Sequence, residues 1–92
     1  MSLTIKETNG IFNLEGSINA ATAKYFQTHF ETILNASKKL TINIDNIIEI
    51  DINGMKALKR LHTNALIFNR YFYIVGNGCK EIYDEFRFNS VA

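Results

Sequence analysis

Apolar residues in this chain switch several times between two spacings, and this switching limits the available folds more than any other feature. Segments with apolar residues at every second position alternate with segments in which they recur every three or four. The first spacing is typical of a strand and the second of an amphipathic helix. Strands that alternate with helices imply parallel strands joined by right-handed crossovers, so the sequence predicts an α/β fold.

Four strands are expected from turn signals and β-forming residues. Asn9-Gly10 favours a type I′ turn, which predicts an N-terminal β-hairpin around it. Farther along, one segment alternates apolar with polar residues, and another is rich in aromatic and β-branched types. The predicted strands cover residues 3–5, 11–14, 40–45 and 70–75.

Three helices are expected between and after these strands. Asn19 is predicted to cap the first helix, which begins at Ala20 and ends near Asn35. The second helix begins around Asn53, after an apolar connection over 47–51, and the third covers 79–86. The resulting order, ββαβαβα, predicts a single domain over residues 1–92, with a mixed four-stranded sheet and about three packed helices.

Charge and composition exclude several kinds of partner. Ten basic and nine acidic residues are scattered along the chain, and no basic run is longer than a pair such as Lys38-Lys39, so nucleic acid is not an expected partner. No apolar run approaches the ~18 residues of a membrane span, so direct membrane insertion is not expected either. The single cysteine suits a reducing compartment, which predicts a cytoplasmic protein.

Two motifs resemble parts of ligand-binding loops but lack residues that such loops need. The segment 49–54 begins like a calcium-binding EF-hand loop, yet Arg60 stands where the loop needs a bidentate glutamate. Gly76-Asn77-Gly78 begins like a dinucleotide fingerprint, yet Glu81 replaces its third glycine. The two histidines and the cysteine lie on different predicted elements, without metal-ligand or nucleophile spacing. No enzyme activity, metal or cofactor is therefore predicted, and nucleotide binding stays open.

The junction before the second helix is the remaining candidate for a site. In Asp51-Ile52-Asn53-Gly54-Met55, an apolar residue interrupts a small polar cluster. One interpretation is structural: Asp51 or Asn53 caps the helix and Ile52 enters the core. The other adds the outward face of the helix, whose basic residues could meet an acidic partner, although a solvated face explains them too. These residues are Lys56, Lys59 and Arg60, followed by Thr63.

Two segments also resemble a known family. Residues 16–23 are similar to a G-E-L-D-x-x-T-A segment, and residues 50–55 are similar to F-[IM]-D-S-S-G-[LM]. Their order and spacing, together with the upstream Asn9-Gly10 hairpin, resemble the STAS domain family of anti-sigma factor antagonists over nearly the whole chain. The resemblance implies a bacterial regulator of transcription that docks onto an anti-sigma factor, which is also a Ser/Thr kinase, and is released when the first Ser of D-S-S-G is phosphorylated.

This sequence departs from the family at the switch. Ile52 replaces the phosphoacceptor Ser, Asn53 replaces the second Ser, and Asn19 replaces the acidic residue of G-E-L-D. The resemblance therefore implies a protein-docking module that is not regulated by phosphorylation at the usual site. The expected partner contact consists of Asn19, Asp51, Ile52, Asn53, Gly54, Met55, Lys56, Lys59 and Arg60.

A second hypothesis places the domain in a larger complex. Some relatives in the family serve as fixed subunits without a phosphoserine, which makes a STAS-like structural subunit of an ABC-type lipid transporter the alternative. The identity of the partner, the oligomeric state and a phosphorylation at another hydroxyl, such as Thr22 or Thr63, stay open.

Overall fold

Four strands and three helices follow one another in the computed structural model, which describes the backbone of residues 2–90 and the side chains as far as residue 86. Their order confirms the predicted ββαβαβα pattern. The strands are β1 (Leu3–Thr8), β2 (Ile11–Ile18), β3 (Lys39–Ile50) and β4 (Tyr71–Val75), and the helices are α1 (Ala23–Ala36), α2 (Ile52–Ile67) and α3 (Lys80–Ser90).

The strands form one mixed sheet in the order β1-β2-β3-β4. β1 and β2 are antiparallel, with Thr8 opposite Ile11, and both residues of the Asn9-Gly10 turn have positive φ, as a type I′ turn requires. β3 runs parallel to β2 on one side and to β4 on the other. The sheet thus has two edge strands, β1 and β4, and the predicted hairpin and parallel crossovers are confirmed.

The helices cover one face of the sheet and leave the other open. Successive right-handed crossovers in one direction put α1 and α2 on the same face. Along β4, Phe72 and Ile74 are half-buried and pack against the core, whereas alternate residues are exposed on the opposite face. The core lies between sheet and helices, with Phe26 and Phe30 as its largest fully buried side chains. Within residues 2–90, no helix has the length and apolar character needed to cross a membrane.

β3 is longer than the sequence predicted, because the supposed connection over 47–50 is part of the strand. β3 carries one extra residue between the pairs Asn13↔Asn43 and Glu15↔Asn46, and another between Gly16↔Ile47 and Ser17↔Glu49. Each extra residue interrupts the inside–outside alternation. Ile44 and Ile47 are both buried while Ile48 is exposed, so the two-residue pattern that predicted a strand stops before the strand does.

Candidate functional site

Asp51 joins the start of α2 to the turn that precedes α1. Its Oδ1 accepts a hydrogen bond from the Gly54 N–H (2.9 Å), which makes Asp51 the N-cap of α2. Its Oδ2 accepts a second bond from the Ala20 N–H (3.2 Å), 31 residues away in sequence. The Asp51 N–H in turn donates to the Ile18 carbonyl at the end of β2 (3.1 Å). One carboxylate therefore holds two neighbouring loops in a fixed relation.

The turn between β2 and α1 is organised by Asn19 and Thr22. The Thr22 hydroxyl donates to the Ser17 carbonyl (2.8 Å) and accepts from the Asn19 N–H (3.0 Å), while Asn19 Oδ1 accepts from the Ala21 N–H (3.0 Å). The predicted helix start at Ala20 with Asn19 as its cap was wrong. The Asn19 side chain stabilises a separate turn, and the helix begins at Ala23 after Thr22.

Gly54 lets α2 pack directly on the end of β2. A Cβ atom at this position would overlap with the Ile18 carbonyl oxygen and would lie 2.7 Å from the Ile18 carbonyl carbon. Gly54 is accordingly buried, and the Met55 side chain that follows is half-buried against the core. Gly54 has no side chain to project and mainly positions the junction, whereas Met55 keeps part of its side chain at the surface.

Ile52 is 70% exposed at the first position of α2. Gly54 is buried and faces the sheet, and the Asp51 carboxylate caps the helix through the Gly54 N–H. The other residues of this first helical turn, Ile52 and Asn53, therefore point outwards. The structural interpretation of the junction was right about the Asp51 cap and wrong about Ile52, which does not enter the core. A large apolar side chain therefore stands in solvent on a firmly held helix end.

The basic residues of α2 divide between two surroundings. Lys56 and Arg60 line a groove of about 510 Å³ between α1 and α2, together with Lys24 and Asn53. Lys59 instead forms an ion pair with Glu85 of α3 (3.2 Å). The basic face predicted from the sequence is thus divided. Lys56 and Arg60 line the groove with a third cation, Lys24 of α1, whereas Lys59 lies apart from them.

The groove itself was not predicted. At its far end, Glu31 Oε2 accepts a hydrogen bond from Gln27 of the same helix (3.0 Å) and another from Asn64 of α2 (2.7 Å), and the second bond ties the two helices together. The groove residues of α1 are far in sequence from those of α2, and each set alone has the pattern of an ordinary solvated helix face. Only the side-by-side packing of α1 and α2 makes them one surface.

The other candidate motifs have structural roles. A Cβ at Gly78 would lie 2.6 Å from the Asp45 carbonyl oxygen, and the Asn77 N–H donates to the Asp45 carboxylate (2.7 Å), so the glycine-rich turn packs on β3. Cys79 is buried and its thiol contacts Glu81 (3.4 Å). Burial, followed by the hydrogen bond to Glu81, raises the pKa of the Cys79 thiol, which makes it a poor nucleophile at neutral pH.

The hydrogen bonds of Asp51 also set its charge state. The Gly54 N–H bond, and after it the Ala20 N–H bond, outweigh partial desolvation and hold the pKa of Asp51 below its usual value of 3.8. A carboxylate whose pKa is lower in the folded state stabilises that state at pH values above the pKa that it has in the unfolded chain. The contribution is lost as the pH falls through the folded-state value.

Replacing Asp51 by asparagine should therefore change the pH dependence of stability. Asparagine keeps the shape and an oxygen acceptor but carries no charge. We expect the wild type to exceed Asp51→Asn in unfolding free energy at neutral pH, and the difference to shrink as the pH falls below 3.8. Urea unfolding of both proteins at several pH values measures this difference. A gap that stayed constant down to the lowest pH would contradict a role for the charge.

Comparisons with known proteins agree with this architecture. The family model described as STAS domain matches residues 1–79. The Bacillus cell fate determinant SpoIIAA in its phosphorylated form aligns with a TM-score of 0.74 at 12% identity, over 98% of this chain and 85% of that one. A putative anti-sigma factor antagonist from Thermotoga maritima aligns with a TM-score of 0.71 at 12% identity, over 98% and 82%. An anti-sigma factor antagonist from Mycobacterium paratuberculosis aligns with a TM-score of 0.68 at 12% identity, over 96% and 79%.

These identities are low, so the solved structures are similar to this chain in fold. No curated protein matches the sequence significantly.

Proposed function

Because the chain belongs to the STAS domain family, we propose that it works in the cytoplasm as a single protein-docking domain of the anti-sigma factor antagonist type, and not as an enzyme. The observation that carries this proposal is the exposure of Ile52 at the start of α2. The proposed partner is a protein related to anti-sigma factors with Ser/Thr kinase character.

Rigidity is what makes Ile52 suitable as an anchor. The turn that carries it is held by the two hydrogen bonds of the Asp51 carboxylate and by the close contact of Gly54 with β2. An apolar side chain on a preformed helix end loses little conformational freedom when a partner's pocket covers it. A few well-buried anchor residues near the centre of an interface supply most of its affinity.

Positive charge beside the anchor supports a partner with an acidic surface. Lys56 and Arg60 lie along the groove next to α2, and Lys24 faces them from α1. The lining of the groove thus carries three cations and one carboxylate, Glu31. Such an excess of one sign speeds association with an oppositely charged surface and selects against like-charged ones. Lys59 contributes less to the attraction of an acidic partner, because its charge is already paired with that of Glu85.

The proposed docking is not switched at the position the family uses. Ile52 has no hydroxyl group, and the nearby Thr22 hydroxyl is buried and donates to the Ser17 carbonyl. Phosphorylating Thr22 would require breaking this bond and opening the turn. Incubation with the partner kinase and ATP, followed by peptide mass spectrometry, should show no phosphate on Ser17 or Thr22, the two hydroxyl residues of segment 16–23. Phosphate on either residue would contradict the proposal.

The anchor itself can be tested by charge. We expect Ile52→Glu to weaken binding of the partner about 100-fold, because the interface would have to bury an unpaired carboxylate. Leu66→Glu is the matched control, since Leu66 is 66% exposed at the other end of the same helix and should leave affinity within about twofold. The partner is first captured from lysate of the source organism, identified by mass spectrometry and purified. It is then titrated with the three proteins by calorimetry.

Each outcome has a distinct meaning. Equal affinity of wild type and Ile52→Glu would remove the junction from the interface. Identification of the partner as a membrane ATPase would instead support the transporter-subunit hypothesis. Saturable binding of ATP or GTP to the isolated protein would reopen the question of a nucleotide site.

A further inference from the structure

The edge strand β4 has the features of a protein interface. It ends the sheet on the side opposite β1, and its sequence is Tyr-Phe-Tyr-Ile-Val. Tyr71, Tyr73 and Val75 are 62%, 48% and 39% exposed on the open face of the sheet. The two tyrosine rings stack with an interplanar angle of 6°. We infer that β4 pairs with β4 of a second copy of this chain, in antiparallel orientation, to form a continuous eight-stranded sheet.

Backbone geometry supplies the hydrogen bonds for this pairing. The Tyr71 N–H donates inwards to the Lys38 carbonyl (2.8 Å), so residues 71, 73 and 75 use their backbone groups on β3. Successive residues of a strand alternate direction, and Phe72 and Ile74 therefore direct their N–H and C=O groups to the outer edge. With Tyr73 on a two-fold axis, Phe72 of each copy lies opposite Ile74 of the other. Each of these two pairs exchanges two hydrogen bonds.

The sequence and register of β4 itself lack the features that keep edge strands apart. Natural edges are blunted by lysine, proline, bulges or inward charges. The segment 71–75 contains no charged residue, proline or glycine, and its register with β3 shows no shift. An uncharged, β-branched and aromatic edge of this kind attracts another strand.

Charge determines which strand fits best. The beginning of β4 is basic, with Arg70 in the chain and Lys38 and Lys39 beside it at the start of β3. The opposite end is acidic on balance: Asp45 holds the turn after β4 and Glu81 follows in α3, while Asp84 pairs with Lys80 (3.9 Å). A second copy in antiparallel orientation places each basic end beside the acidic end of its neighbour, twice across the axis. This complementarity makes a second copy the expected occupant of the edge.

Sedimentation equilibrium of the full chain tests the pairing. We expect the average mass of the wild type to rise from one chain towards two with concentration. Tyr73→Lys should weaken the dimer at least tenfold, because two lysines would face each other at the axis. Tyr25→Lys is the matched control, since Tyr25 is 50% exposed on α1 and should leave the dimer unchanged. High salt should weaken the wild-type dimer by screening its charged ends.

A cysteine at the axis distinguishes this dimer from nonspecific association. Residues opposite each other in a non-hydrogen-bonded antiparallel pair have Cα atoms about 4.5 Å apart, within the range that a disulfide bridges. Oxidised Tyr73→Cys should therefore form a covalent dimer in high yield, whereas Tyr25→Cys should not. The native Cys79 is present in both variants and is buried.

Three results would overturn the inference. They are a wild type that stays monomeric up to about millimolar concentration, a dimer that Tyr73→Lys does not weaken, and equal cross-linking of the two cysteine variants. None of them bears on docking at Ile52, which lies on α2.

Discussion

Replacing Phe30 by alanine is expected to lower the free energy of unfolding by about 3–5 kcal/mol. Phe30 is fully buried on the sheet-facing side of α1. Its ring meets Phe12 of β2 edge-on at 5.4 Å between centroids and lies 5.1 Å from Phe26. Alanine would leave a cavity where helix and sheet meet. Domains of this kind are stable by only about 5–15 kcal/mol, so the loss is a large part of the total stability.

Tyr25→Ala is the control for this prediction. Tyr25 lies on the same helix and is half-exposed, so its truncation should cost about 1 kcal/mol or less. Urea unfolding followed by circular dichroism compares the three proteins. Similar midpoints for Phe30→Ala and Tyr25→Ala would show that α1 is not held on the sheet in the way described.

Gly54→Ala should destabilise the protein by about 3 kcal/mol, although alanine is the better helix former. Gly54 lies in the first turn of α2 and its φ is not positive, so alanine introduces no backbone strain. On helix propensity alone, the change would stabilise α2 by up to about 1 kcal/mol. The added Cβ would, however, overlap with the rigid Ile18 carbonyl and force α2 away from β2. The sign of the measured change therefore distinguishes steric packing from propensity.

A contrasting variant is available at Gly10. Nothing lies within 4 Å of a Cβ there, but its φ of 82° strains any other residue, so Gly10→Ala should cost about 1 kcal/mol through backbone strain alone. Gly54→Ala should also displace Ile52 and weaken partner binding, whereas Gly10→Ala should leave binding intact. A Gly54→Ala protein at least as stable as wild type would contradict the close contact between α2 and β2.

The fold was largely predictable because its signals are local. The Asn9-Gly10 turn, the helical spacing in α1 and α2, and the β-forming run before Gly76 each act within a few residues. The end of β3 was missed because two bulges break its alternation, and bulges depend on pairing with β2. The start of α1 was misplaced because Asn19 and Thr22 are both good capping residues, and only the hydrogen bond from Thr22 to Ser17 settles which turn forms.

The candidate site was less predictable, since it depends on contacts across the fold. The cap at Asp51 follows from residue type, but its second hydrogen bond reaches Ala20 in another loop. The exposure of Ile52 contradicts what its hydrophobicity predicts, because Gly54 takes the inward position of that helical turn. Lys59 resembles its neighbours in sequence, yet α3 supplies the carboxylate that pairs with it.

The central position of β3 also has consequences for the order of folding. Only the β1–β2 hairpin joins neighbouring strands directly, and hairpins form in about 1–10 μs. β2 and β3 are separated in sequence by α1, and β3 and β4 are separated by α2. The chain must therefore close two long loops before the sheet is complete. We therefore expect the closure of β2 on β3 to limit the refolding rate. In hydrogen exchange, the β3 amides should be protected late during refolding and should exchange last from the native protein.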